Sequence, residues 1–284
     1  MCQAKQSGAL NTQPFMVYND VEMNAGKLPD LKAWFADYVA AFKTGKADFD
    51  RNIILKEEHT KRVCQEIRFI GENLGMEGND LLLAEVMALF HDIGRFEQYA
   101  RYRTFVDRIS VDHAEFGVGI LLRKHVLDEL AEDERELILR AILYHNRRDL
   151  PEDETDTCLH FSRMLRDADK LDIWNVLADY YRNDRDEDSV LVQNFPDTPG
   201  ISEAIYRELA GGRLANYADV RNLNDYKLLQ AGWIYDINFT PSFRRIYERG
   251  YLETIRAALP QSDQVNEIFT AAQSYLKDRI QSPL

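Results

Sequence analysis

From Pro29 onward, apolar residues recur at spacings of three and four. Leu31, Trp34, Phe35, Tyr38, Val39 and Phe42 mark one helical face that ends before Gly45. The same period predicts helices near residues 50–74, 80–98, 111–125, 132–147 and 156–184. After a Pro/Gly break at 196–200 it resumes near 201–210, 222–236, 241–258 and 263–280. Alternating apolar and polar runs bounded by hairpin turns are scarce, so the expected fold class is all-α. No fixed-period repeat or Gly/Ser-rich linker divides the chain. The acidic stretch Asn183–Ser189 is the expected seam between two apolar-periodic parts. The expected organisation is therefore a loosely held arm over 1–26, a helical core over 27–184 and a C-terminal helical extension over 185–284. Trp233, Tyr235, Phe239, Phe243 and Tyr247 of the extension are expected to pack on the core, or on a second subunit in a homo-oligomer.

With 284 residues, 45% of them hydrophobic, the chain can bury a substantial core. The 35 Lys and Arg against 48 Asp and Glu give a net charge of −13, whose field repels nucleic acid and anionic lipid. An anionic ligand must then be drawn in by local cations or metal ions. Charged residues cut the apolar runs far short of the roughly 20 residues of a membrane span. Met1–Asn11 lacks the pattern of a secretory signal, so a cytoplasmic location is expected. Cys2, Cys64 and Cys158 are too few and too scattered for a disulfide framework, which agrees with a reducing compartment.

Candidate chemistry lies in the His and Asp residues of successive predicted helices. His59 stands in the row Leu55, His59, Val63 and Ile67, His145 follows Ile138 and Ile142, and Asp169 lies between Leu165 and Ile173. Helical spacing turns all three polar groups toward apolar neighbours. Burying them unpaired costs roughly 2–7 kcal/mol for a neutral group and more for a carboxylate, and a bound cation is one economical partner. His91 and Asp92 are adjacent, and one carboxylate can bridge two ions while the imidazole fills one site. Imidazole and carboxylate without thiolate suit Mn, Fe, Co, Ni or Zn.

The string Ala88-Leu89-Phe90-His91-Asp92-Ile93-Gly94-Arg95, with His59 upstream and Asp167-Ala168-Asp169-Lys170-Leu171-Asp172 downstream, resembles the HD-domain metal-dependent phosphohydrolase superfamily over about residues 50–184. The family pattern H…HD…D carries over to His59, His91, Asp92 and Asp169. His113 and His145 fall between, as in the binuclear branches such as the HD-GYP phosphodiesterases. The resemblance implies an HD-domain helical bundle holding two divalent metal ions. His59, His91 and Asp169 would hold one, His113 and His145 the other, with Asp92 between. The Gly-Tyr-Pro element is missing, which speaks against cyclic dinucleotides. The implied activity is hydrolysis of a phosphoric monoester or diester, a nucleotide or other small phosphorylated substrate, by a metal-activated water. HD-type mixed-valent diiron oxygenases use a similar ligand set, and a nucleotide-sensing module without turnover is a third class. His125 is expected exposed and His160 packed or capping.

Arg95 lies four residues after His91 and three after Asp92, on the face of the proposed metals, and its fork suits phosphate oxygens; an ion pair is the plain alternative. Lys170, beside the last aspartate, is a second candidate. With Asp92, these two make up the expected catalytic set. Arg95, Arg101, Arg103 and Arg108 outnumber Glu97 and Asp107 over residues 95–108, a local cationic patch able to focus an anion, with Arg95, Arg101, Arg103 and Lys170 as the expected substrate-binding residues. Arg147 and Arg148 extend that patch, and Ser110 is the expected cap of the helix bearing His113.

Overall fold

The amphipathic segments of the N-terminal half fold into α1 (Lys27–Ala40), α2 (Ala47–Asn73), α3 (Gly78–Phe90), α4 (Ile93–Tyr102), α5 (His113–Arg123), α6 (Glu132–Tyr144) and α7 (Asp156–Arg182). The C-terminal half forms α8 (Glu203–Ala210), α9 (Leu223–Gly232), α10 (Thr240–Arg249), α11 (Tyr251–Ala257) and α12 (Asp263–Gln281). This computed structural model describes residues 26–182, 193 and 195–281, and among them there is no strand. Residues 1–25 of the expected arm over 1–26, and the acidic seam at 183–189, lie outside the described residues.

Three expected helices are broken. The helix foreseen over 80–98 divides at His91-Asp92, where Asp92 leaves helical backbone with φ −105° and ψ 15°. The break lets α4 lie against α5 with backbone touching backbone. A β-carbon on Gly94 would stand 2.2 Å from the His113 carbonyl oxygen. The segment 241–258 breaks at Gly250, whose φ of +63° belongs to the left-handed region glycine adopts without strain. The segment 222–236 ends its α-helix at Gly232 and closes with a 3₁₀ turn, Trp233–Asp236.

Helices α2 and α7 are the long central pair, each 27 residues, packed on one another, with α3 against both. Burial of their apolar stripes drives this packing. One continuous cluster of buried side chains runs from Leu28 in α1 to Leu276 in α12, so the C-terminal helices share the core of the N-terminal ones. Helices α10 and α11 pack on α7, and α12 packs on α8, α10 and α11. Trp174 of α7 packs against the Trp233 and Tyr251 rings, and its Nε1 donates to the Gln230 carbonyl at 3.0 Å.

A polar tie between the halves is Asp167, fully buried on α7. Its carboxylate accepts from the backbone N–H groups of Asn238 and Phe239 at 3.1 Å and from the Asn238 amide at 2.9 Å. Burial pushes its pKa up to about 6, against the hydrogen bonds that favour the anion. Asp167→Ala strands those donors, so it is expected to cost about 2–5 kcal/mol of unfolding free energy, read from the urea midpoint. Beside it, Asp236 takes both Arg166 and Lys170, the latter at 2.8 Å.

Candidate metal centre

Four helices and the junction between two others deliver six polar side chains to one buried place. His59 comes from the middle of α2, His91 and Asp92 from the α3–α4 junction, His113 from the first residue of α5, His145 from the end of α6 and Asp169 from α7. Asp112, not Ser110, caps α5, its carboxylate accepting from the N–H groups of Ala114 and Glu115. A serine hydroxyl two residues farther out cannot reach those donors, and Ser110 Oγ donates to the Val106 carbonyl instead.

Each imidazole is held by its Nδ1. His91 Nδ1 lies 2.7 Å from the Ala88 carbonyl oxygen and His145 Nδ1 2.7 Å from that of Ile142. A carbonyl only accepts, so the proton sits on Nδ1 and Nε2 carries a lone pair. His59 Nδ1 faces the Asp172 carboxylate at 2.7 Å and His113 Nδ1 that of Asp107 at 2.6 Å, which set the same tautomer. Four lone pairs therefore converge. His59 Nε2 and His91 Nε2 are 3.3 Å apart, and those of His113 and His145 3.0 Å. Two lone pairs at such distances repel unless a cation lies between or beside them, so the donor set fits bound metal, with carboxylate partners on two of the rings as metal-ligating histidines commonly have.

The carboxylates complete two groups. Asp169 Oδ1 is 3.1 Å from His59 Nε2 and 3.7 Å from His91 Nε2. Asp92 divides its oxygens: Oδ2 is 3.5 Å from His59 Nε2 and 3.6 Å from His91 Nε2, while Oδ1 is 3.3 Å from His113 Nε2 and 3.9 Å from His145 Nε2. Among the described residues, the groups of His, Asp and Glu able to hold a metal ion are His59, His91 and Asp169, then His91, Asp92 and His145, and then Asp107, Asp112 and His113, so that His91 belongs to two of them.

The electrostatics keep Asp92, Asp169, His113 and His145 in ligand form. Burial alone would raise Asp92, but Lys56, His91, Arg95 and His113 hold it well below the usual carboxylate range. Asp169 is likewise held down against burial by hydrogen bonds with His59 and His91. Burial, with His113 and His91 alongside, pushes His145 down to about 3, and burial and Arg95 lower His113. His59 runs the other way: burial and Lys56 oppose its charge, but Asp169 and Asp172 raise its pKa.

Of the expected substrate-binding cations, only Arg95 reaches this centre. Its Nε is 3.3 Å from Asp92 Oδ1, and its Nη1 is 2.7 Å from Asp107 and also donates to Gln98. The plain ion-pair reading is thus realised, with Asp107 as partner, at a position that also lines a cavity of about 260 Å³ beside His59. Lys170 is turned to Asp236, Arg101 pairs with Glu97 over the Phe116 ring, and Arg103 lies 4.2 Å from the Phe49 ring centroid. None of these three lines that cavity, because each finds a nearer acid or aromatic face. Arg147 lies over Tyr144, 5.1 Å from its ring centroid, and Arg108 lies 6.0 Å from that of Tyr217 at the cavity wall. His125 is exposed, and His160 packs on Phe161 and Phe239.

Three residues escaped the sequence reading. Lys56 Nζ lies 2.7 Å from Asp92 Oδ2 at the cavity wall, and Asp172 and Asp107 orient His59 and His113. Helical spacing held part of the signal, since Lys56 is one turn before His59 and Asp172 one turn after Asp169.

A helical domain whose buried imidazoles and carboxylates converge in groups able to hold metal is the class that fold and site define. Residues 57–174 match the family model of the HD domain, a span from α2 to α7 that includes all six converging side chains. The chain carries an HD domain there, consistent with the HD-domain metal-dependent phosphohydrolase superfamily. No curated protein and no solved structure matches the chain.

Proposed function

We propose that the chain is a metal-dependent phosphohydrolase acting on a small phosphate ester, and that it uses two divalent ions. The observation that carries this reading is the division of Asp92, one oxygen toward each pair of imidazole lone pairs. His59, His91, Asp169 and Asp92 Oδ2 would hold one ion, and His113, His145 and Asp92 Oδ1 the other. Bound there, the ions would supply Lewis acidity and bring water to a pKa near neutrality.

The chain's own residues do the rest. Asp172 and Asp107 keep the Nε2 lone pairs of His59 and His113 aimed inward. Burial keeps His145 neutral at working pH. Lys56 and Arg95 are the cations at the cavity next to the centre, placed to meet phosphoryl oxygens and the charge that grows on them during displacement. Lys56→Ala is expected to lower kcat/KM by about 10- to 1,000-fold with metal content unchanged. Arg95→Ala is expected to lose activity on that scale and stability as well, because Asp107 loses its guanidinium.

The deciding experiment uses protein stripped with chelator and reloaded with Mn²⁺, Co²⁺ or Zn²⁺ under anaerobic conditions. Release of phosphate from simple esters, with solvent ¹⁸O in the product, is expected. Inertness toward every phosphoester, with an iron-loaded sample consuming O₂ and showing a mixed-valent paramagnetic signal, would transfer the site to the oxygenase class. Nucleotide binding without turnover would make it a sensing module.

A further inference from the structure

The cavity beside His59 is built from helix faces that continue directly from the metal ligands. On α2, Leu55 and Lys56 lie one turn from His59. On α7, Ile173, Val176 and Leu177 follow Asp169 at i+4, i+7 and i+8, the same face of the helix. The wall opposite comes from the C-terminal extension: Tyr226, Leu229 and Trp233 at i, i+3 and i+7 along α9 and its 3₁₀ turn, with Tyr217 beside them. Among the described residues, the charged side chains that line it, Lys56 and Arg95, lie at the end adjoining the centre. At Tyr217 the wall's hydroxyl donates to Gln193 at 2.5 Å, and Arg108 lies 6.0 Å from the ring centroid.

From this we infer that the substrate's organic group is largely apolar and ring-sized, that it lies between α7 and α9, and that the C-terminal extension sets specificity. The inference rests on the phosphohydrolase reading, which supplies the anion at the cationic end. Its own support is independent of that reading: Leu55, Phe105, Ile173, Val176, Leu177 and Leu229 offer no hydrogen bond, the uncharged polar groups of the lining beyond His59 being Gln193, the Tyr217 and Tyr226 hydroxyls and the Trp233 indole N–H, so burying a hydroxyl-rich polyol against it costs free energy. Size agrees, since a cavity of about 150 Å³ holds benzene and this one, of about 260 Å³, has room for one or two fused rings. An aryl phosphate and a nucleoside monophosphate share this chemistry, an anion joined to a flat ring.

The test uses the full-length, metal-loaded protein with naphthyl phosphate, a nucleoside monophosphate and glycerol phosphate. The wild type is expected to favour at least one ring-bearing ester over glycerol phosphate by about 10-fold or more in kcat/KM. Preference for the nucleotide over naphthyl phosphate identifies a base as the ring, and the reverse identifies a plain aryl group. Val176→Phe, which fills the cavity from its half-buried wall, is expected to raise KM for the ring-bearing ester by about 10-fold while leaving glycerol phosphate within about 2-fold. A merely structural defect would lower both alike. Calorimetric titration with naphthylmethylphosphonate, which is not hydrolysed, reads the same cavity without turnover, and Tyr217→Ala, at the rim, is expected to weaken it about 3- to 10-fold. Equal rates on all three esters, or binding of the phosphonate unchanged in both variants, overturns the inference while the hydrolase reading stands. Binding of the phosphonate with every ester inert overturns the hydrolase reading and keeps the apolar subsite.

Discussion

Asp92→Ala is expected to abolish metal binding in at least one group and to lower kcat by about 1,000-fold or more, equivalent to about 4 kcal/mol of transition-state stabilisation. The size of the effect follows from the position of one carboxylate. It is the only side chain among the six that approaches both imidazole pairs with separate oxygens. It is also the acceptor for Lys56 at 2.7 Å and for Arg95 at 3.3 Å, so its removal leaves two cations beside the lone pairs and makes the pocket hostile to a metal ion. Asp92→Asn retains the shape with one oxygen and is expected to keep no more than one ion. Elemental analysis of variants purified without chelator, together with the phosphate-release assay, checks both.

Gly94→Ala is expected to have the second-largest effect, although the residue binds nothing. Its β-carbon would lie 2.2 Å from the His113 carbonyl oxygen, 3.2 Å from the His113 carbonyl carbon and 2.9 Å from the Gly117 nitrogen, all backbone atoms that no rotamer change can move. Helix α5 must therefore shift away from α4, carrying His113 away from Asp92 and His145. Overpacking of this kind costs about 1–3 kcal/mol or more, which for a chain of this size lowers Tm by roughly 3–10 °C. The expected signature is selective: the ion held by His113 and His145 is lost while the group of His59, His91 and Asp169 keeps its own. Thermal denaturation and metal stoichiometry of the variant measure the two consequences separately.

The helices were legible because most are amphipathic and bury a single face, so their period survives in the sequence. The division at His91-Asp92 was not, since the apolar run Val86–Phe90 leads straight into Ile93 and Phe96 without a proline or a left-handed cap. His59, His145 and Asp169 stood out because polar residues on apolar faces need a reason, and His91, Asp92 and His113 through the resemblance to the H…HD…D pattern and its binuclear branches. Lys56 had no such mark: its partner Asp92 is 36 residues away, and only the packing of α2 on the α3–α4 junction joins them. Lys170 is turned away from the cavity for a related reason, because Asp236, distant in sequence, pairs with it. The cavity wall on α9 was hidden most completely. Tyr226, Leu229 and Trp233 have the spacing of ordinary core residues, and nothing local distinguishes a side chain that fills a core from one that lines a space left open for a ligand.

The central claim is that two ions share Asp92. Anomalous scattering from crystals grown with Mn²⁺ tests it most directly. The account predicts two peaks per chain, one bounded by His59, His91, Asp169 and Asp92 Oδ2 and the other by His113, His145 and Asp92 Oδ1. A single peak, with the Nε2 atoms of His113 and His145 turned away from any metal, would contradict it.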